Sequence, residues 1–92
     1  PLPSESAFGL RNYPNPFNPS TMIEYTLSEE MEVQLSLYTI LGDKVADLDR
    51  GLKNAGTHRV EFTAPSNLPS GLYIYELITP QGTAKGKMTL TK

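Results

Sequence analysis

The sequence contains no cysteine, no tryptophan and a single histidine among its 92 residues. Without cysteine there is neither a disulfide framework nor a thiolate zinc site, although this does not decide between an oxidising and a reducing compartment. Without tryptophan, a flat sugar-binding face would have to be built from tyrosines, and those are needed for the core. The lone His58 leaves little room for acid–base catalysis. Strand alternation puts it on the face of Val60 and Phe62, and no serine or acid near it follows a recognisable nucleophile pattern. No uninterrupted apolar run approaches the length of a membrane span. Basic residues are not in excess either: eight against ten acidic give a net charge of −2, spread along the chain. A nucleic-acid partner would call for a concentrated basic face. The acids Glu29, Glu30 and Glu32, and then Asp43, Asp47 and Asp49, lack the alternating spacing of an EF-hand calcium loop and read as solvated turns. Gly51, Gly56 and Gly71 lack the strand–loop–helix setting of a phosphate cradle and read as positive-φ turns. No catalytic residue, metal ligand or cofactor is assigned.

What the sequence does have is proline in one concentrated place, Asn12-Tyr13-Pro14-Asn15-Pro16-Phe17-Asn18-Pro19. Three prolines fix three φ angles and remove three backbone donors, so no regular ladder can run through. The asparagines can bond neighbouring backbone, and Tyr13 and Phe17 carry enough apolar surface to pin a turn onto a core. Tyr13, Pro14, Pro16, Phe17 and Pro19 therefore form an expected rigid corner between strands. Ahead of it, residues 1–7 read as linker, and the chain as a piece of a longer protein. Phe8 to Asn12 is expected as a short first strand.

Beyond the corner, period-two alternation is the main signal. Ile23, Tyr25 and Leu27 alternate with Glu24 and Thr26. Val33, Leu35 and Leu37 alternate with Glu32, Gln34 and Ser36. Lys44 to Leu48 reads as a short, irregular strand, and Asp49 to Gly56 as a loop. His58, Val60 and Phe62 mark another strand, Leu72 to Thr79 a central one with both faces in use, and the lysine-bearing end a returning partner across Pro80-Gln81-Gly82. Seven strands at intervals of about ten residues, with turn signals between them, predict an all-β, antiparallel sandwich. After Glu76 there is no acid, while Lys85, Lys87 and Lys92 give the end a local positive charge. Lysines there can blunt an edge strand, or can be read by an acidic groove of another protein.

The corner followed by Ser20-Thr21-Met22-Ile23-Glu24-Tyr25-Thr26-Leu27 resembles the opening of the type A C-terminal sorting domain of the type IX secretion system. In that family an N-x-P-N-P-F-N-P-x-T-x-I-x-Y-x-L pattern begins the module. Further blocks are similar and in order: Val33-x-Leu35-x-Leu37-Tyr38, Gly42-x-x-Val45, Gly56 to Phe62, Ser70 to Leu77, and Lys87 to Lys92. One departure is Thr39, where the family commonly carries an aspartate or asparagine. The Ig-like domain of flagellar hook-capping proteins follows a related pattern.

The resemblance implies a seven-stranded immunoglobulin-like β-sandwich over residues 8–92. It also implies a non-catalytic address that takes a covalently attached N-terminal passenger through the periplasm and outer membrane to the cell surface or medium. The implied partners are an outer-membrane translocon and a sortase-type peptidase, with no nucleic acid and no membrane span. Gly71, Tyr73, Lys85, Lys87, Met88 and Lys92 carry over as candidate signal residues. The alternative is an accessory spacer or carbohydrate-binding module of a secreted enzyme.

Overall fold

The computed structural model of the protein describes residues 8–91. Its seven strands are β1 (Arg11–Tyr13), β2 (Ser20–Leu27), β3 (Met31–Thr39), β4 (Lys44–Lys53), β5 (Gly56–Thr63), β6 (Gly71–Thr79) and β7 (Gly82–Leu90). They form two antiparallel sheets, one ordered β1-β2-β5 and the other β4-β3-β6-β7. No helix occurs among the described residues. The sheets pack face to face as the expected immunoglobulin-like sandwich, with β4 hydrogen-bonded to β3 rather than to β5.

The alternation in the sequence becomes the two faces of each sheet. Ile23, Tyr25 and Leu27 point inward from β2, Val33, Leu35 and Leu37 from β3, Phe62 from β5, and Tyr73, Tyr75 and Leu77 from β6. Ala84, Met88 and Leu90 complete the core from β7. Fully burying a side chain of this size contributes roughly 1.5–3 kcal/mol, so this row supplies most of the drive to fold. Three tyrosines bury their rings and still satisfy their hydroxyls. Tyr25 donates to Asp49 (3.0 Å), Tyr75 to the Asn12 side-chain carbonyl (3.0 Å), and Tyr73 to the Pro69 carbonyl (2.6 Å). The last bond, reaching four residues back from the start of the sixth strand, is the tyrosine corner of immunoglobulin-like sandwiches. Tyr38 differs, standing half-buried on the outer face of its sheet.

Two element boundaries depart from the sequence expectation. The loop expected over Asp49 to Gly56 is strand as far as Lys53, leaving only Asn54 and Ala55 as the connection. Turn-forming residues are tolerated because each is used: Gly51 takes a φ of 117°, and the Asp49 carboxylate accepts from Tyr25 and pairs with Lys53 at 3.0 Å. The irregularity inferred from the three-residue spacing of Val45 and Leu48 is present as register shifts at Leu35/Ser36 and Leu37/Tyr38. The first strand begins at Arg11 rather than Phe8, because Gly9 at φ 58° turns the chain out of the ladder. Phe8 nevertheless accepts a bond from the Thr26 amide (2.7 Å). The linker reading of residues 1–7 lies outside the described residues.

Candidate functional site

The corner and the last strand, more than seventy residues apart in sequence, meet edge to edge. Phe17 is buried in the core and meets Phe62 edge-on, with ring centroids 6.2 Å apart. Its backbone amide donates to the Thr89 carbonyl (2.9 Å), and its carbonyl accepts from the Thr91 amide (3.0 Å). Phe17 thus forms a one-residue parallel bridge opposite Leu90. Two residues earlier, the Asn15 side chain imitates a strand. Its amide donates to the Lys87 carbonyl (3.1 Å), and its oxygen accepts from the Thr89 amide (2.9 Å). Prolines 14, 16 and 19 make this docking local: with their donors absent and φ fixed, the segment offers the edge just a few bonding groups. The Tyr13-Pro14, Asn15-Pro16 and Asn18-Pro19 peptide bonds are all cis.

Asn12 completes the joint. Its side-chain amide donates to the Thr21 hydroxyl (3.1 Å), which itself donates to the Pro14 carbonyl (3.0 Å), while its oxygen receives the Tyr75 hydroxyl. The Tyr75 ring reaches Asn12 by passing over Gly86, its partner on β7, where any Cβ would overlap the ring. Desolvation of this phenol pushes its pKa up to about 12, so it remains a neutral donor at physiological pH. Sequence reasoning found the asparagines as turn formers but missed them as clamps on the far strand, and it missed Gly86 altogether. The visible signal for Gly86 was a glycine inside a strand pattern, which often marks a close approach.

The six candidate signal residues occupy different environments. Lys85 and Lys87 project from the outer face of β7, exposed, and neither forms an ion pair among the described residues. They stand across from Glu76 and Ile74 of β6. Beside them runs a shallow groove of about 270 Å³ lined by Tyr38, Ile40, Ile74, Glu76 and Lys85. Met88 is wholly buried and Tyr73 nearly so. Gly71 opens β6 at a φ of 151°. Lys92 lies outside the described residues. The structure therefore brings Lys85 and Lys87 onto one open surface and places Met88 and Tyr73 beneath it.

Several other polar groups are engaged in holding the fold. His58 stacks on Tyr25, with centroids 5.3 Å apart, and its Nε2 lies 2.7 Å from the Asn54 carbonyl. Glu24 on β2 lies between Arg11 and Arg59, each at 3.1 Å, and also accepts from Tyr13. Desolvation works to raise its pKa, but the two guanidiniums and the phenol outweigh it and hold the carboxylate below its ordinary value. Among the described residues no group of three or more His, Cys, Asp or Glu is placed to hold a metal.

The family model of the secretion system C-terminal sorting domain matches residues 11–91. The chain belongs to that family. The match starts at β1 and ends beside Thr91, so it takes in both the corner and the strand that the corner clamps. The sorting domain is a signal for type IX secretion, and it works with that secretion machinery and with an attached passenger bound for the cell surface or medium. Comparisons with curated proteins and with solved structures gave no match.

Proposed function

We propose that the sorting domain is a non-catalytic address read in its folded state on the outer face of β7. Lys85 and Lys87 are the contacting residues in this reading. Gly71, Tyr73 and Met88 act from beneath by holding β6 and β7 in place, and Lys92 adds a third positive charge to the signal. The reader is an outer-membrane translocon reached from the periplasm, with a sortase-type peptidase acting afterwards to separate the domain from its passenger. The observation that carries the proposal is that two lysines without an ion pair among the described residues sit on a strand whose edge the family's own corner pins in position. A long, flexible cation is normally a poor recognition element because ordering it costs side-chain entropy. A backbone held rigid beneath it removes part of the remaining cost.

The test is export of a reporter joined to the N-terminus of this chain, in a host with a type IX system. The parent fusion is expected outside the cell, and its retention in the periplasm would overturn the sorting reading. Charge reversal at Lys85→Glu and Lys87→Glu together is expected to cut export severalfold while the melting temperature stays within a few degrees. Undiminished export of the double variant would remove these lysines from the signal.

A further inference from the structure

The four sheet edges of this sandwich are not equally protected. β1 is only three residues long and runs into Pro14. β4 carries two register shifts and ends in Lys44 and Lys53. β7 carries exposed lysines and is covered over its second half by Asn15 and Phe17. Short length, proline, irregular register, edge lysines and a covering loop are the devices by which sheets avoid edge-to-edge pairing. Among the described residues β5 has none of these and only the opposite charges of Arg59 and Glu61: eight residues, Gly-Thr-His-Arg-Val-Glu-Phe-Thr, pair with β2 in one unbroken register.

The register also shows which groups β5 leaves free. The Ala64 amide donates to the Pro19 carbonyl, continuing the β2–β5 ladder by one position, so that pair is of the hydrogen-bonded kind. Hydrogen-bonded and non-hydrogen-bonded pairs alternate in an antiparallel ladder. Phe62, Val60 and His58 therefore turn their amides and carbonyls toward β2. Thr63, Glu61, Arg59 and Thr57 turn theirs outward. The Thr26 amide, which reaches Phe8 on the opposite side of β2, is in phase with this assignment. Among the described residues no hydrogen bond reaches the outward groups of Thr57, Arg59, Glu61 or Thr63.

We infer that β5 pairs antiparallel with β5 of a second copy of this chain, about a two-fold axis at Val60. In that register Arg59 faces the partner copy's Glu61, Glu61 faces its Arg59, and each Thr57 faces a Thr63. Every outward amide meets an outward carbonyl, and the inward side chains of the two copies stay on one face, Val60 against Val60 and His58 against Phe62. The charges match across a longer row. Arg11, Glu24 and Arg59 already lie side by side on three strands of one copy, with Glu24 bonded to both arginines. The partner's Glu61 adds a fourth charge in alternating sign. Within its own chain Glu61 faces Met22 and has no ion pair among the described residues. A strand whose charges complement their own reversal is what an isologous contact requires. The result is one continuous six-stranded sheet, with the lysine face of β7 left clear on the other sheet.

One edge contact of this length is small, so the dimer is expected to be weak, with a dissociation constant on the order of 100 µM. Sedimentation equilibrium of the 92-residue chain should show concentration-dependent dimers in that range. Glu61→Arg should abolish them without lowering the melting temperature, since Arg59 then faces an arginine. A second measurement exploits the lack of native cysteine. Val60→Cys places one thiol opposite its own copy in a non-hydrogen-bonded pair, whereas Thr57→Cys faces a threonine. Under mild oxidation the first should form disulfide dimers roughly tenfold or more faster than the second, because pairing raises the effective thiol concentration. A chain that remains monomeric to millimolar concentration, dimers that survive Glu61→Arg, or equal cross-linking by the two cysteines would each overturn the assignment.

Discussion

At the scale of single residues, the contact that decides most is the Tyr75 ring lying across Gly86. The ring is buried, its hydroxyl reaches the corner at Asn12, and the space beneath it exists only because residue 86 has no side chain. Gly86→Ala must therefore displace either the ring or the strand. Overpacking of this kind costs about 1–3 kcal/mol. For a domain of this size each kcal/mol lowers the melting temperature by roughly 4–8 °C. A thermal melt of Gly86→Ala within about a degree of the parent would show that the ring is not so confined. The contrast with the positive-φ turn glycines matters: Gly42 and Gly82 face open space, so a substitution there acts through backbone conformation and not through a clash.

At the scale of elements, the corner belongs with the last strand as much as with the strand it precedes. Asn15 contributes two hydrogen bonds to β7 and Phe17 one to it and one to Thr91 just past its end, and together they take the outward groups of Thr89 that would otherwise face solvent. Asn15→Ala keeps the prolines and removes the side-chain pair alone. At about 0.5–1.5 kcal/mol for each such bond, the expected loss is about 1–3 kcal/mol. The loss should be local, since the β6–β7 ladder is intact: hydrogen exchange should quicken first at the Thr89 amide, while β3 amides keep their protection. Uniform exchange across all strands would mean that the corner stabilises the domain only as a whole.

The same elements show how much could be read from sequence. Wherever one face of a strand meets the core and the other meets water, as in β2, β3 and β5, alternation reported both the strand and its inward residues; β6 was found from its apolar run and expected to use both faces, but Leu72 and Ile78 on its outer face are exposed. The second half of β4, from Asp49 to Lys53, escaped because its polar residues look like loop until their partners are known; Asp49 is satisfied by Tyr25 and Lys53, neither of which a local pattern reveals. The Asn15–Thr89 clamp escaped for the same reason at greater range, since nothing in either segment marks the other. Lys85 and Lys87 were visible as charge without a counter-charge, and the structure adds that they share one open face while Met88 does not. The family blocks were legible because the corner is a rigid local motif. The edge it guards became apparent only in three dimensions.

At the scale of the whole molecule, pH ties these local arrangements to stability. Glu24 holds three strands of one sheet through Arg11 and Arg59, and those charges with Tyr13 keep its pKa below the ordinary value. Asp47 is lowered chiefly by its bond from Lys44 (2.6 Å), with Ser36 adding a second. A carboxylate whose folded pKa is depressed contributes stability that is present above its unfolded value, about 4 for these side chains, and lost as pH falls through the folded one. At the other limit Tyr25 is raised, first by desolvation and then by Asp49, and Tyr75 is pushed up to about 12 by desolvation. Acids with raised folded pKa values contribute stability that is present below the unfolded value, about 10, and lost as pH rises beyond it. The domain should therefore be most stable on a plateau from roughly pH 5 to 9, with an acid limb and an alkaline limb of different origin. Urea melts across the pH range should show Glu24→Gln less stable on the plateau but with a shallower fall in acid, because the variant has no carboxylate there to protonate. Tyr75→Phe should flatten the alkaline limb and leave the acid limb unchanged. An acid limb of equal slope in Glu24→Gln and the parent would place the proton-linked loss elsewhere, with Asp47 the next carboxylate to replace.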